Sequence, residues 1–393
     1  MLSTPKTQKK ILFATIALDG HFNPLTSLAV YLKEAGYDVR WYTGSVFKEK
    51  LQNLKIPHLP FKRAKEITQH NIDEVFPERK KIKNGIKRIC FDMSQYFILR
   101  GPEFLQDVQE IHQNFPFDLM IADICFTGIP FIKEKLQVPV ISIGIIPLVE
   151  KSRDTAPAGL GLTPAKTALG KKGYVWLQKV VDNFLLKQPN DFLRQLLANE
   201  GISCKGSNAF EIAIEKSTVV LQSGTPGFEY YRRDISKHIH FIGPVLPHAK
   251  KVEKELTFRD KLGLYKNTIL VTQGTLENDN SKLIIPTLEA FKNTNNLVIV
   301  TTAGNDTEAL RKQYPYANCV IEDYIPFNQI MPFIDVYVSN GGYGGVLLSI
   351  ENRVPMVVGG KHEGKNEICA RVGYFNLGIN LKTEAPGKEQ IKA

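Results

Sequence analysis

DVYVSNGGYGGVLLSIENRVPMVVGG, residues 335–360, is the stretch on which the fold turns. Asp335 to Ser339 crowds β-branched and aromatic residues into a short run bounded by polar turn residues, the pattern of a buried strand. Asn340-Gly341-Gly342-Tyr343-Gly344-Gly345 follows as a glycine-rich bend, and Val346 to Glu351 reads as a helix opening out of it. Pro355 to Val358 supplies the next strand. Strand, glycine loop and helix start make an anion site, because glycines let backbone N–H groups close on a ligand and the helix dipole favours negative charge. A diphosphate fits that chemistry. Judged by glycine alone, an αL turn with no ligand is an equal reading.

Upstream, short apolar runs at 268–272, 297–302 and 319–322 alternate with helical patterns, so the stretch closes a parallel α/β set. The N-terminal half repeats the scheme. Lys10 to Ile16 reads as strand one, Asn23 as the cap of a helix with Pro24 in its first position, and Gly36 as its stop. Further strands are expected at 39–43, 118–123, 138–143 and 218–222, with 241–245 as the last segment of the first domain. Residues 62–115 and 176–197 have helical patterns, and 155–173 reads as a long loop. No G-x-G-x-x-G follows strand one, which disfavours dinucleotide binding there. The polar, patternless stretch 248–255 reads as a linker. The expected domains are therefore 1–247 and 256–393, and 393 residues suit two domains of ordinary size.

The hydrophobic share of 43% is that of a soluble globular protein. The net charge of +10 is densest over 78–88, which reads as a solvated face or as weak attraction to an anionic membrane surface. Nucleic acid is disfavoured as a partner, since no aromatic interleaving accompanies the basic residues. Cys90, Cys125, Cys204, Cys319 and Cys369 show no C-x-x-C spacing and read as reduced thiols of a cytoplasmic protein. Lys9-Lys10 and the apolar run to Leu18 imitate a signal peptide, but no small-residue cleavage site follows, and a first strand is the better reading.

His21 lies just past the carboxyl end of strand one, and Asp123 ends the strand at 118–123. In an open parallel sheet ligands bind outside those carboxyl ends. An imidazole beside a carboxylate is a general base, although a lone loop histidine is more often structural. Asp118, at the opposite end of its strand, is the fallback partner.

These residues resemble the UDP-glycosyltransferase superfamily, inverting enzymes of the GT-B fold, of the bacterial macrolide and antibiotic type. Gly20-His21-Phe22-Asn23-Pro24 is similar to its G-H-x-x-P motif, and Asp123 to the dyad partner. The resemblance implies two Rossmann-like domains facing each other across a cleft, with His21 deprotonating the acceptor. It places the donor on Gly274, Thr275, Ile325, Asn340, Gly341, Gly342, Tyr343, Gly344 and Gly345, with Glu363 and Lys365 as substitutes for the pair that contacts the sugar. The co-substrate would be a UDP-sugar or dTDP-sugar, with no prosthetic group and no metal. The acceptor would be a hydrophobic molecule bearing a hydroxyl, with Phe91, Tyr96, Phe97 and Trp176 as pocket or core residues. Three departures stand out: Asn340 replaces a phosphate-binding histidine, Leu348 replaces a ribose-binding glutamate, and the acidic-amide pair falls near Gly364-Lys365; the segment at Tyr324 also lacks the stacking tryptophan of many relatives. Leu348 suits a deoxyribose donor. The resemblance also implies a final helix returning to the first domain, of which residues 386–393 read as the start. The assembly would be a monomer or homodimer. The rival readings are an epimerase or hydrolase of nucleotide-sugars on the same fold, or a catalytically weak nucleotide- or lipid-binding protein.

Overall fold

The computed structural model describes residues 8–68, 70–248, 256–274, 277–362 and 364–392. Thr275, Glu363 and all but His248 of the expected linker lie outside the described residues. The chain divides into two compact units: residues 1–157, 165–226 and 231–248 form the first, and 158–164, 227–230 and 249–393 the second.

In the first unit β1 (Lys10–Ala14), β2 (Asp38–Thr43), β3 (His58–Pro60), β4 (Leu119–Asp123), β5 (Val140–Gly144), β6 (Val219–Gln222) and β7 (Ile239–Phe241) form one sheet. Its order is β3-β2-β1-β4-β5-β6-β7, and every neighbouring pair is parallel. Successive side chains of a strand leave on opposite faces, so a sheet covered on both sides needs apolar residues at every position. β1 shows this: Leu12 and Ala14 join one core cluster with Met120 and Ala122, while Ile11 and Phe13 join another with Ile121.

The second unit holds β8 (Asn267–Thr272), β9 (Asn296–Thr301), β10 (Cys319–Glu322), β11 (Val336–Ser339), β12 (Met356–Val358) and β13 (Gly378–Asn380), ordered β10-β9-β8-β11-β12-β13 and again all parallel. Leu270 and Tyr337 face one core cluster, Ile269, Val271 and Val338 the other. In each sheet the chain starts at a central strand, winds outward, then crosses back to the other side. The reversal falls between β1 and β4, and between β8 and β11.

Four local expectations change. His21 lies in a one-turn helix, Asp19–Phe22, and not in an open loop. Asn23 is itself helical (φ −57°, ψ −44°) and caps no helix start: it ends the one-turn helix, its side-chain amide donates to Asp19 Oδ1 at 3.1 Å, and the long helix begins only at Thr26. The helix Ala168–Val180 starts inside the expected loop because Thr167 caps it, its hydroxyl accepting from Gly170 N–H at 3.1 Å. The helix after β11 starts at Tyr343, so Gly344 and Gly345 form its first turn. A Cβ on Gly345 would sit 2.5 Å from the Tyr337 hydroxyl, so glycine there serves helix-on-strand packing.

One buried ionic cluster fixes the second unit. Arg371, on the helix Lys365–Tyr374, is 2% exposed and donates to Glu229 Oε1 at 2.7 Å and Glu367 Oε2 at 2.9 Å. Glu367 Oε1 in turn accepts the N–H groups of Gly159 and Gly161 at 2.9 and 2.8 Å. The segments 158–164 and 227–230 are thus held by one guanidinium. Removing one partner of a buried pair strands the other, at about 3–5 kcal/mol. Arg371→Ala is expected to destabilise the second unit by about that amount, read as a lowered urea midpoint, whereas Lys187→Ala, at the surface pair with Asp191, leaves the midpoint in place.

Candidate functional site

The end of β1 and the end of β4 are adjacent, and the chain leaves them in opposite directions. From β1 the backbone turns at Leu18, whose carbonyl accepts from both His21 N–H and Phe22 N–H at 3.0 Å. Phe22 is fully buried, stacked on Phe47 with centroids 4.0 Å apart and tilted against Trp41 at 4.5 Å. That anchor leaves the neighbouring His21 partly exposed, with its Nδ1 2.9 Å from Asp123 Oδ1. Asp123 ends β4 with no exposed surface. The same Oδ1 accepts the Cys125 N–H at 2.8 Å, while Oδ2 is buried with no hydrogen-bond partner. Asp118, the fallback, sits at the far end of its strand and binds Lys9 Nζ and Lys10 N–H instead.

Burial alone would push His21 down. The Asp123 charge and hydrogen bond, with a contribution from Cys125, outweigh it and raise the imidazole from 6.5 to about 10. Burial raises the Cys125 thiol, against the pull of His21. Both groups therefore hold their protons more firmly than a free histidine or cysteine would.

Of the four aromatic candidates, Tyr96 reaches the dyad's field. It lies in the π-helical turn Asp92–Ile98, its hydroxyl is buried without a partner, and burial followed by the Asp123 charge pushes its phenol up. π-turns recur at functional sites. Phe97 packs on the core beside Tyr96, with ring centroids 4.4 Å apart, and Phe91 meets Phe76 edge-on at 5.7 Å. Trp176 is 65% exposed on the helix Ala168–Val180 and is not a core residue.

In the second unit the matching strand ends are those of β8 and β11. Gly274 follows β8 and Asn340-Gly341-Gly342 follows β11. Gly341 has φ +84°, and a Cβ there would approach Cys369 Sγ to 2.6 Å, so the turn needs glycine twice over. Gly342 is extended and gives the helix Tyr343–Glu351 no side-chain cap, and the first amides of a helix have no intrahelical partner, which is where an anion binds. Asn340 is buried and its amide donates to the Gln273 carbonyl, so it ties the two loops together. Ile325 has its side chain in the core next to an exposed Tyr324. Lys365 opens the helix Lys365–Tyr374, and Leu348 packs partly buried against the core.

The sequence reading gave two residues no part of their own in the site. Gln273 is 2% exposed: Oε1 accepts Leu283 N–H and Ile284 N–H at 2.9 Å, capping the helix Ile284–Phe291 and fixing the loop from beneath. Cys125 stands two residues past Asp123, and its proximity to His21 follows only once β1 and β4 pair. Nitrogen-detected NMR of the imidazole is expected to show His21 titrating above 6.5, and Asp123→Asn, which removes the charge that holds it up, should bring it down.

No protein-family model matches the sequence. The chain is 30% identical to 4'-demethylrebeccamycin synthase of Lentzea aerocolonigenes over 383 residues, 98% of this chain and 90% of that protein. It is 28% identical to UDP-glycosyltransferase 2 of Phaeomoniella chlamydospora over 400 residues, 97% and 87% of the two chains. The crystal structure of the kitacinnamycin glycotransferase superposes with a TM-score of 0.75 at 13% identity, covering 98% of this chain and 89% of that one, a likeness of fold. With two doubly wound parallel units, glycine loops at the strand ends and these relatives, the chain belongs to the UDP-glycosyltransferase superfamily and is a glycosyltransferase of the GT-B fold.

Proposed function

We propose that the enzyme moves a sugar from a UDP- or dTDP-sugar to a hydroxyl of a hydrophobic small molecule, inverting the anomeric centre, with His21 as base and Asp123 as its partner. The observation that carries this reading is the 2.9 Å contact between His21 Nδ1 and Asp123 Oδ1 at the carboxyl ends of β1 and β4. Unprotonated His21 takes the acceptor proton as the oxygen attacks the anomeric carbon and the bond to the diphosphate breaks. Asp123 stabilises the imidazolium that forms, and its proton then passes to solvent, which regenerates the base. The backbone of Gly341, Gly342, Tyr343, Gly344 and Gly345, with Gly274 and Thr275, would hold the leaving diphosphate and absorb its charge, and the Ile325 backbone would meet the base. Because the Asn340 amide is engaged by Gln273, that charge falls to backbone dipoles and to the Lys365 ammonium, with Glu363 as an acceptor for the sugar hydroxyls. No metal is required by this scheme.

A relative named for making 4'-demethylrebeccamycin supports a small-molecule acceptor. Tyr96 beside the dyad, with Phe97, Phe91 and Trp176, would receive its apolar body. The working division is an acceptor domain, 1–247, and a donor domain, 256–393. Among the described residues no helix is long and apolar enough to cross a membrane. A cytoplasmic monomer or homodimer is the proposed state.

Mass-spectrometric assay of UDP- and dTDP-sugars against phenolic and macrolide acceptors tests the reaction. His21→Ala should lower transfer by about 10²–10⁴-fold while nucleotide still raises its melting temperature. Wild-type transfer in the variant would place the base elsewhere, and free sugar without conjugate would favour a hydrolase. The pH profile has a definite sign. A base with a raised pKa is unprotonated only at higher pH, so kcat/KM should rise with pH along a limb above 6.5, and Asp123→Asn should shift that limb to lower pH as it slows the reaction. Leu348→Glu is expected to improve KM for UDP-sugars over dTDP-sugars, and an unchanged ratio would remove Leu348 from donor choice.

A further inference from the structure

We infer that His21, Asp123 and Cys125 form a binding site for a soft divalent cation of the zinc class, and that its occupation switches the enzyme off. An imidazole nitrogen, a carboxylate oxygen and the Cys125 sulfur all lie within 4.8 Å of one another. A tetrahedral zinc ion bonded at about 2.0–2.3 Å holds its ligand atoms at somewhat shorter mutual distances, so small side-chain rotations close the set.

A second observation points to a cation independently of that spacing. Asp123 has no exposed surface, yet its Oδ2 finds no hydrogen-bond donor, and the Tyr96 hydroxyl within its field is likewise buried without a partner. Buried carboxylate oxygens are ordinarily paired or bound to metal. The dyad therefore keeps one strong acceptor unspent at its buried side.

The donor set selects the metal. One nitrogen, one sulfur and one oxygen suit zinc, cadmium or cobalt, whereas magnesium prefers six oxygens. Three protein ligands leave a fourth position for water or the acceptor hydroxyl, because His21 remains partly exposed. The exchange balances without redox chemistry: a metal–nitrogen and a metal–sulfur bond form as the imidazolium and thiol each release one proton, and the thiolate and carboxylate together neutralise the two positive charges. With metal on one ring nitrogen and a proton on the other, the imidazole has no lone pair left to take the acceptor proton. That consequence for activity rests on His21 acting as the base, whereas the binding itself does not.

The test begins with the full-length chain stripped by EDTA and titrated with cadmium, followed by the ultraviolet thiolate-to-cadmium charge-transfer band, with zinc as competitor. One equivalent is expected for the wild type. Loss of an outer-shell partner alone weakens a metal site about 10–100-fold, so Cys125→Ser and His21→Gln, checked for folding by circular dichroism, should weaken it by at least that factor. An undiminished band in folded Cys125→Ser would assign the signal to another cysteine and overturn the site, as would the lack of any band in the wild type. A separate arm follows glycosyl transfer. Zinc should inhibit in proportion to occupancy, EDTA should restore the rate, magnesium should do neither, and Cys125→Ser should escape relative to its own zinc-free rate. A cadmium band without inhibition would keep the site and reject the role of His21 as base. Inhibition equal in Cys125→Ser would reject the site as its cause.

Discussion

A parallel strand cannot return on itself through a tight turn, and this constraint governs everything else in the molecule. Each strand must be followed by a crossover, the crossovers cover both faces, and the sheet has to be apolar on both. Residues 11, 12, 13 and 14 are buried in alternate directions for that reason. When the winding reverses between β1 and β4, the two segments leaving the sheet part company, and the space between them opens at the carboxyl ends of the strands. Polar groups can stand there without entering the core. His21 and Asp123 occupy that rim in one unit, and the glycine loops occupy the matching rim in the other.

The first rim concentrates charge. Asp123 is fully buried, so its carboxylate is tolerable only with close donors, and it has two: the His21 imidazole and the Cys125 N–H. The pair holds the imidazole protonated beyond its ordinary range, which orients the ring, so under the proposed reaction it must first give up a proton. The Cys125 thiol beside the pair has no part in the proposed transfer, which uses only the nitrogen and the carboxylate.

The second rim works through backbone. Gly341 accepts a positive φ and the close approach of Cys369, and the helix Lys365–Tyr374 that carries Cys369 is itself pinned by Arg371 to Glu229 and Glu367. Gln273 supports the neighbouring loop from below and receives the Asn340 amide. The loop geometry thus depends on buried polar contacts made well outside the glycine stretch.

The sequence by itself determined the two parallel sheets, since continuous apolar runs, glycine stops and helical spacing are local signals that any folded outcome must satisfy. Strand ends follow from those runs, and with them the placing of His21 and Asp123 on one rim, because strand direction and sheet order dictate which ends face the ligand side. Only the tertiary structure decided what depends on distant partners or small local energies. Helix starts at Ala168 and Tyr343 turned on a threonine cap and on glycine packing, against propensities that suggested loop. The Asn23 side chain went to Asp19 because the chain stayed helical through Pro24. The Arg371 contact spans 142 positions, and the meeting of Cys125 with His21 needs β1 beside β4, so no window of sequence contains either.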